Sequence, residues 1–261
     1  MARIIAVVNQ KGGVGKTTTA INLATALTME DKRVLLCDFD PQGNATNGMG
    51  VDKNKVSPTI YDVIIGGVSP HKAVIATQFG DLLPATKNLA GAGIEMTTIE
   101  NREYLLKAAL EELECNYDFI LIDGPPSLEL LTVNALCAAH SLIIPVQCEY
   151  FAMEGLADLM VTVKLLKRNL NPSLEMEGVL LTMYDGRTNL SLQVAESVKK
   201  NFQHLVYSTV IPRNVDLAAA PSHGKPIQLY DPSSRGAAAY ESLAYEVIEC
   251  QVKRNKAHAA K

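Results

Sequence analysis

The chain has 261 residues, 48% hydrophobic and 20% charged, enough apolar material for one large α/β domain with a sizeable core. Lys and Arg number 24 against 28 Asp and Glu, and the resulting net charge of −4 argues against nucleic-acid binding through a global positive field. Trp is absent and aromatics are 5%, so the core must be aliphatic, and no apolar run reaches the roughly 18 residues that a membrane span needs.

The N-terminal segment lacks the apolar stretch and small-residue cleavage site of a signal peptide and enters a strand pattern directly. Residues 3–9 read as a strand buried on both faces. Residues 16–29 read as a helix with Ile21, Leu23, Ala24 and Leu27 on its apolar face, and 33–38 as a second buried strand. Residues 41–58 are rich in Gly, Asn and polar groups and read as loop; 59–65 form a short helix stopped by Gly66-Gly67. A short strand at 81–84 and a charged amphipathic helix at 100–114 follow. Then come a strand at 119–123 stopped by Gly124-Pro125-Pro126, a helix at 130–139 and a strand at 141–146. The remaining pattern gives a helix at 154–169, a strand at 178–183, a helix at 190–201, a strand at 207–211 and a last helix at 235–252.

Strands and helices alternate through short connections. This predicts a single α/β domain over residues 1–252, a P-loop-type fold with one mostly parallel, twisted sheet and helices on both faces. Residues 253–261 are expected to form a basic, disordered tail. Residues 251–261 hold Lys253, Arg254, Lys256 and Lys261 and no acid, so the other 250 residues carry a net −8. The cysteines (Cys37, Cys115, Cys137, Cys148 and Cys250) are odd in number, widely spaced and without a CxxC, which reads as small buried hydrophobes in a reducing compartment. The five histidines lack metal-ligand spacing.

Lys11-Gly12-Gly13-Val14-Gly15-Lys16-Thr17-Thr18 joins the first strand to the first helix. The strict G-x-x-x-x-G-K-[ST] pattern fails because Gln10 stands at its first position, but the physics is unchanged. Gly12, Gly13 and Gly15 let backbone N–H groups converge on phosphate oxygens, and the helix N-terminus adds its positive end. Lys16 is expected on the β- and γ-phosphates, Thr17 on Mg²⁺ and Thr18 on the α-phosphate, which makes ATP and Mg²⁺ the expected cofactors. Two strands end in aspartate, at 38–40 (Asp38-Phe39-Asp40) and at Asp123. Ligands of open parallel sheets sit at the strands' carboxyl ends, so both acids face the loop. Asp123 is expected to hold Mg²⁺, Asp38 to support that site from behind, and Asp40 to orient the attacking water.

The segments KGGVGKTTTAINLA, DFDPQGNAT, DGPPSLELLTVNAL, PVQCEYFAMEGL, GVLLTMYDGRTNLS and IPRNVDLAAAPSHGKPI together resemble the ParA/Soj partition ATPases, from residue 3 to about residue 247. The resemblance implies a weak ATP hydrolase that forms a homodimer with ATP and binds double-stranded DNA without sequence preference. It implies stimulation by a ParB-type centromere-binding partner, a cytoplasmic, nucleoid-associated location and no membrane contact. It places adenine against Met183, Pro212, Arg213 and Asn214. It also implies that Lys11, as a second catalytic lysine, reaches across the dimer to the other subunit's phosphates. No long DNA-reading segment precedes the loop, so the likeness is to the short form. Glu129, Gly124 and Asp216 depart from the pattern, the last in a stretch where some relatives are basic.

Candidate DNA contacts are Arg187, Lys199, Lys200, Arg213 and Lys225, where phosphate neutralisation suffices and a dimer doubles the number on one face. Competing readings are an ATPase of the same family that positions another cargo, and a MinD-type membrane ATPase, for which the tail offers only Val252 as a bulky aliphatic. Others are an iron–sulfur ATPase, in which Cys137 lacks a second cysteine about 35 residues on, and a ligase that phosphorylates a small carboxylate.

Overall fold

The computed structural model describes residues 1–127 and 129–259. Its strands are β1 (Arg3–Val7), β2 (Val34–Asp38), β3 (Ile75–Thr77), β4 (Gly80–Leu83), β5 (Phe119–Asp123), β6 (Ser141–Gln147) and β7 (Glu175–Thr182). They form one sheet in the order β3-β4-β2-β5-β1-β6-β7, parallel throughout except for the β3–β4 hairpin at one edge. The expected mostly parallel α/β sheet is therefore present. The helices are α1 (Lys16–Met29), α2 (Asn44–Gly48), α3 (Ile60–Ile64), α4 (Pro70–Ala73), α5 (Leu89–Glu95), α6 (Leu105–Glu111), α7 (Leu130–Ala138), α8 (Ala152–Asn169), α9 (Asn189–Phe202), α10 (Val215–Ala219), α11 (Ile227–Tyr230) and α12 (Arg235–Ala259).

Alternation along the strands separates two cores. Ile5, Val7, Leu36, Leu121, Ile143 and Leu180 face α1 and α12, where Leu23, Leu27, Tyr240 and Leu243 are buried. Ile4, Ala6, Leu35, Ile120, Ile122 and Leu142 face the other way, onto Leu106, Leu136, Leu159 and Val198 of α6 to α9. Each such Leu or Ile stabilises the fold by about 1.5–3 kcal/mol through burial. α1 stops where Asp31 takes a left-handed backbone (φ 57°) and the N–H groups of Asp31 and Lys32 return to the carbonyls of Thr28 and Leu27, both at 3.1 Å.

Several expectations need correction. Residues 207–211 are not a strand. They run beside β7, touching it at Tyr207 N–H to the Val179 carbonyl (3.1 Å) and Ile211 N–H to the Leu181 carbonyl (2.8 Å). In between, Ser208 and Thr209 turn their N–H groups onto the Glu246 carboxylate of α12 (2.9 and 2.7 Å), which interrupts the ladder. The helix expected over 100–114 is shortened to α6, because Asn101 is left-handed (φ 55°) and the Asn134 side chain accepts from Leu106 N–H at 3.2 Å. The loop at 41–58 contains α2. The tail expected from residue 253 instead continues α12 as helix to Ala259; residues 260–261 lie outside the described residues. Cys37, Cys137 and Cys148 are buried, as expected, Cys250 is half-buried and Cys115 is exposed.

Candidate active site

The loop after β1 is tied to its neighbours at several points. The Asn9 amide donates to the Pro145 carbonyl (2.7 Å) and its Oδ1 accepts from Lys11 N–H (3.0 Å). The Thr182 hydroxyl at the end of β7 donates to the Val14 carbonyl (2.8 Å). Gly13 and Gly15 are left-handed at φ 74° and 91°, where a side chain is strained. Among the described residues, none beyond the immediate chain neighbours comes within 4 Å of the position a Cβ would take on Gly12 or Gly13, so the loop leaves room for a bulky anion. Lys16 opens α1 and is buried. Burial lowers its pKa, while Asp123 and Asp40 pull it back up. Its ammonium donates to the Lys11 carbonyl (2.9 Å).

Val7, Asp123 and Asp38 stand side by side in register at the carboxyl ends of β1, β5 and β2. Asp38 Oδ2 accepts from the Thr46 N–H and hydroxyl, both at 2.7 Å, and Oδ1 from Asp40 N–H at 3.2 Å. Burial pushes its pKa up to about 6 against these bonds. These bonds tie Asp38 to the loop after β2. Asp40 is buried as well, and its Oδ1 accepts from Gln42 N–H (2.9 Å).

Asp123 is fully buried, and neither carboxylate oxygen closes a hydrogen bond of ordinary geometry. Burial first, then Asp38 and Asp40, push its pKa well up; the Thr17 hydroxyl and Lys16 are near enough to oppose the rise. A bare carboxylate beside a threonine and a buried lysine fits a divalent cation, the group that would satisfy both oxygens.

The expected base-binding residues do converge. Met183, Pro212, Arg213 and Asn214 line one cavity of about 420 Å³ with Gly15, Thr18 and Thr182. Met183 is left-handed (φ 50°), a strained backbone at the cavity wall. Asn214 caps α10, its Oδ1 accepting from Asp216 and Leu217 N–H (2.7 and 3.1 Å), so only its amide N–H₂ remains to meet a base.

A family model described as an AAA domain matches residues 2–176. The chain is 57% identical over 249 residues to the sporulation initiation inhibitor protein Soj of Bacillus subtilis, covering 95% of this chain and 98% of that one. It is 50% identical over 250 residues to the chromosome partitioning protein ParA of Caulobacter vibrioides, covering 94% of each. The chain belongs to the ParA/Soj partition ATPases. A cobyrinic acid a,c-diamide synthase from Mycobacterium smegmatis, solved with ADP and magnesium, superposes with a TM-score of 0.82 at 40% identity, over 94% of this chain and 93% of that one.

Two residues of the ParA/Soj site escaped the sequence reading. Glu149, in the turn between β6 and α8, is ion-paired with Lys11. Thr46 ties Asp38 to the Ala85 N–H (3.0 Å). Neither carries a local sequence signal, since their partners lie 138 and 39 positions away. The basic residues named for DNA are all exposed but not equivalent. Arg187 makes a two-pronged bond to Asp185 (2.8 and 2.7 Å) and remains 90% exposed, while Lys199 and Lys200 end α9. Lys225 lines a separate cavity with Asn47 and Phe79. Among the described residues no helix is long and apolar enough to cross a membrane.

Proposed function

We propose that this protein is the ATP-driven switch of a partition system. Two copies assemble around a pair of ATP molecules with Mg²⁺, the assembled pair coats DNA without sequence preference, and a ParB-type partner stimulates hydrolysis and releases it. The carrying observation is Asp123, a buried carboxylate with two unsatisfied oxygens next to a glycine cradle and a buried lysine. When bound, the cation offsets charge on the β- and γ-phosphate oxygens.

The chain's own residues do the rest. The N–H groups of residues 12–18 hold the phosphates at the head of α1. Lys16 exchanges the Lys11 carbonyl for phosphate oxygens. Thr17 and Asp123 would hold the cation, and Asp38 keeps the end of β2 and the loop after it in place through Thr46. Asp40 has one oxygen not used by Gln42, which orients the attacking water and accepts its proton. Asn214 donates to an acceptor on the base edge, while Met183 and Pro212 pack its faces. Lys11 completes the other copy's site, and Arg187, Arg213, Lys199, Lys200 and Lys225 supply the DNA contacts.

The test is DNA binding with ATP, with ADP and without nucleotide over a salt series, alongside light scattering. Binding that needs ATP, tracks assembly and weakens steeply with salt supports the proposal; equal binding in all three states overturns it. A second reading, ATP-dependent activation of a small acid, is favoured by the name of the Mycobacterium smegmatis synthase. It predicts turnover that depends on a carboxylic acid and is indifferent to DNA. A different cargo within the same family keeps every step above and changes only the protein that stimulates hydrolysis.

A further inference from the structure

Lys11 is held at three points. Its N–H donates to Asn9 Oδ1 (3.0 Å), its carbonyl accepts from Lys16 (2.9 Å), and its ammonium is ion-paired with Glu149. The turn that carries Glu149 belongs to the frame that holds the loop. Cys148 N–H donates to the Thr182 carbonyl (3.2 Å), and the Thr182 hydroxyl donates to Val14 (2.8 Å). The turn that carries the carboxylate is thus tied to the loop through Thr182. The next two residues, Tyr150 and Phe151, stack edge to face at 5.1 Å and are 78% and 60% exposed, and Phe151 lines one small cavity with Lys11 and Glu149.

We propose that Glu149 is a positioning residue for Lys11. It parks the ammonium on its own subunit, outside the phosphate cradle, until the nucleotide of a second copy takes it over. This rests on the reading that Lys11 serves the other copy's nucleotide. The exchange swaps one carboxylate for phosphate oxygens, and no covalent bond changes. The pair has the strength this needs. Its side chains are 41% and 33% exposed, and such surface pairs bias an equilibrium by up to about five-fold without blocking it. A triphosphate carries more negative charge than one carboxylate, so the lysine transfers once a second copy presents it. Until then Glu149 keeps lone subunits from acting as assembled ones.

The experiment measures assembly by light scattering with saturating Mg–ATP, in an Asp40→Ala background that prevents turnover. Glu149→Gln keeps the side chain's shape and removes its charge. It is expected to assemble at about two- to five-fold lower protein concentration. Glu149→Asp keeps the charge and is expected close to the parent, and ADP affinity of the single subunit is expected unchanged. Assembly of Glu149→Gln that is unchanged or weaker overturns the proposal, as does a loss of ADP affinity, which would mean that the loop itself is disturbed. Lys11→Ala separates the two ideas. If it assembles like the parent, the underlying reading is wrong and Glu149 has nothing to restrain. If it fails to assemble while Glu149→Gln is neutral, that reading stands and the parking role falls.

Discussion

Asp38 and Asp123 are register partners at the ends of β2 and β5, both fully buried, and their hydrogen-bonding is opposite. Asp38 accepts three bonds, two from Thr46 and one from Asp40 N–H, while Asp123 accepts none of ordinary geometry. Two carboxyls that close cannot both ionise cheaply in a dry site: burial first and then the charge of Asp38 push the Asp123 pKa well up, and the Thr17 hydroxyl and Lys16 oppose the rise only in part. The pair is therefore costly to ionise on its own, and a cation bound beside it would favour the charged form.

Asp123→Asn removes the charge and keeps the shape. A carboxyl whose pKa is raised in the fold holds its proton at pH values where the unfolded chain has released it. Stability is then lost as pH rises from the ordinary carboxyl range through the folded value, which for Asp38 is about 6. The variant without nucleotide is expected to gain roughly 0.5–2 kcal/mol at pH 7.5, or about 1–8 °C in Tm, with the gain vanishing toward pH 4. ATP turnover is expected to be lost. Calorimetry across that pH range checks it, and a variant that is no more stable at pH 7.5 would refute charge burial as the cause.

Thr46→Val tests the brace. Its hydroxyl donates to Asp38 and accepts from Ala85 N–H, so valine leaves a buried N–H without a partner and Asp38 with one bond fewer. The expected loss is about 1–3 kcal/mol in denaturant unfolding. ATP turnover should fall less than in Asp40→Ala, because the attacking water is not touched directly. Loss of turnover with no change in unfolding midpoint would mean that Thr46 acts in the chemistry instead.

Asp185 and Arg187 give a two-sided test of the DNA face. Arg187→Glu is expected to abolish DNA binding and spare ATP-dependent assembly. Asp185→Asn releases the guanidinium from its two-pronged bond. It is expected to tighten DNA binding and steepen its dependence on salt by roughly one phosphate contact per subunit. Filter binding over a salt series reads both. If Asp185→Asn weakens binding, Asp185 orients Arg187 toward DNA and does not compete for it.

Legibility in the sequence followed locality. The strand–loop–helix of residues 3–29 and Asp123 could be read directly, because a buried strand, three glycines and a strand-end acid are each local patterns. Met183 and Asn214 lie 31 positions apart and meet only in the fold, so they came from family resemblance. The bend at 207–211 was hidden because Glu246, which breaks the ladder, is supplied by a helix far along the chain. The pairing of Lys11 with Glu149 was hidden for the same reason.

The helical course of residues 253–259 leads to the last prediction. Arg254 reaches back to Glu177 on β7, which is buried and also accepts from Arg3 (2.9 Å) and Ser141. Burial pushes the Glu177 pKa up, but Ser141, Arg3 and Arg254 outweigh it and hold the group below its ordinary value. Such a group contributes stability above the ordinary carboxyl range and loses it as pH falls through the lowered value. Ending the chain at residue 252 removes Arg254 and leaves Glu177 with Arg3 and Ser141 alone. A disordered tail would be dispensable; this arrangement instead predicts a loss of about 1–3 kcal/mol at pH 7, shrinking at acid pH as Glu177 protonates. Arg254→Ala should reproduce most of the loss, and pairing it with Glu177→Gln should recover part of it. If truncation leaves the urea midpoint unchanged, the end of α12 is not held by this network.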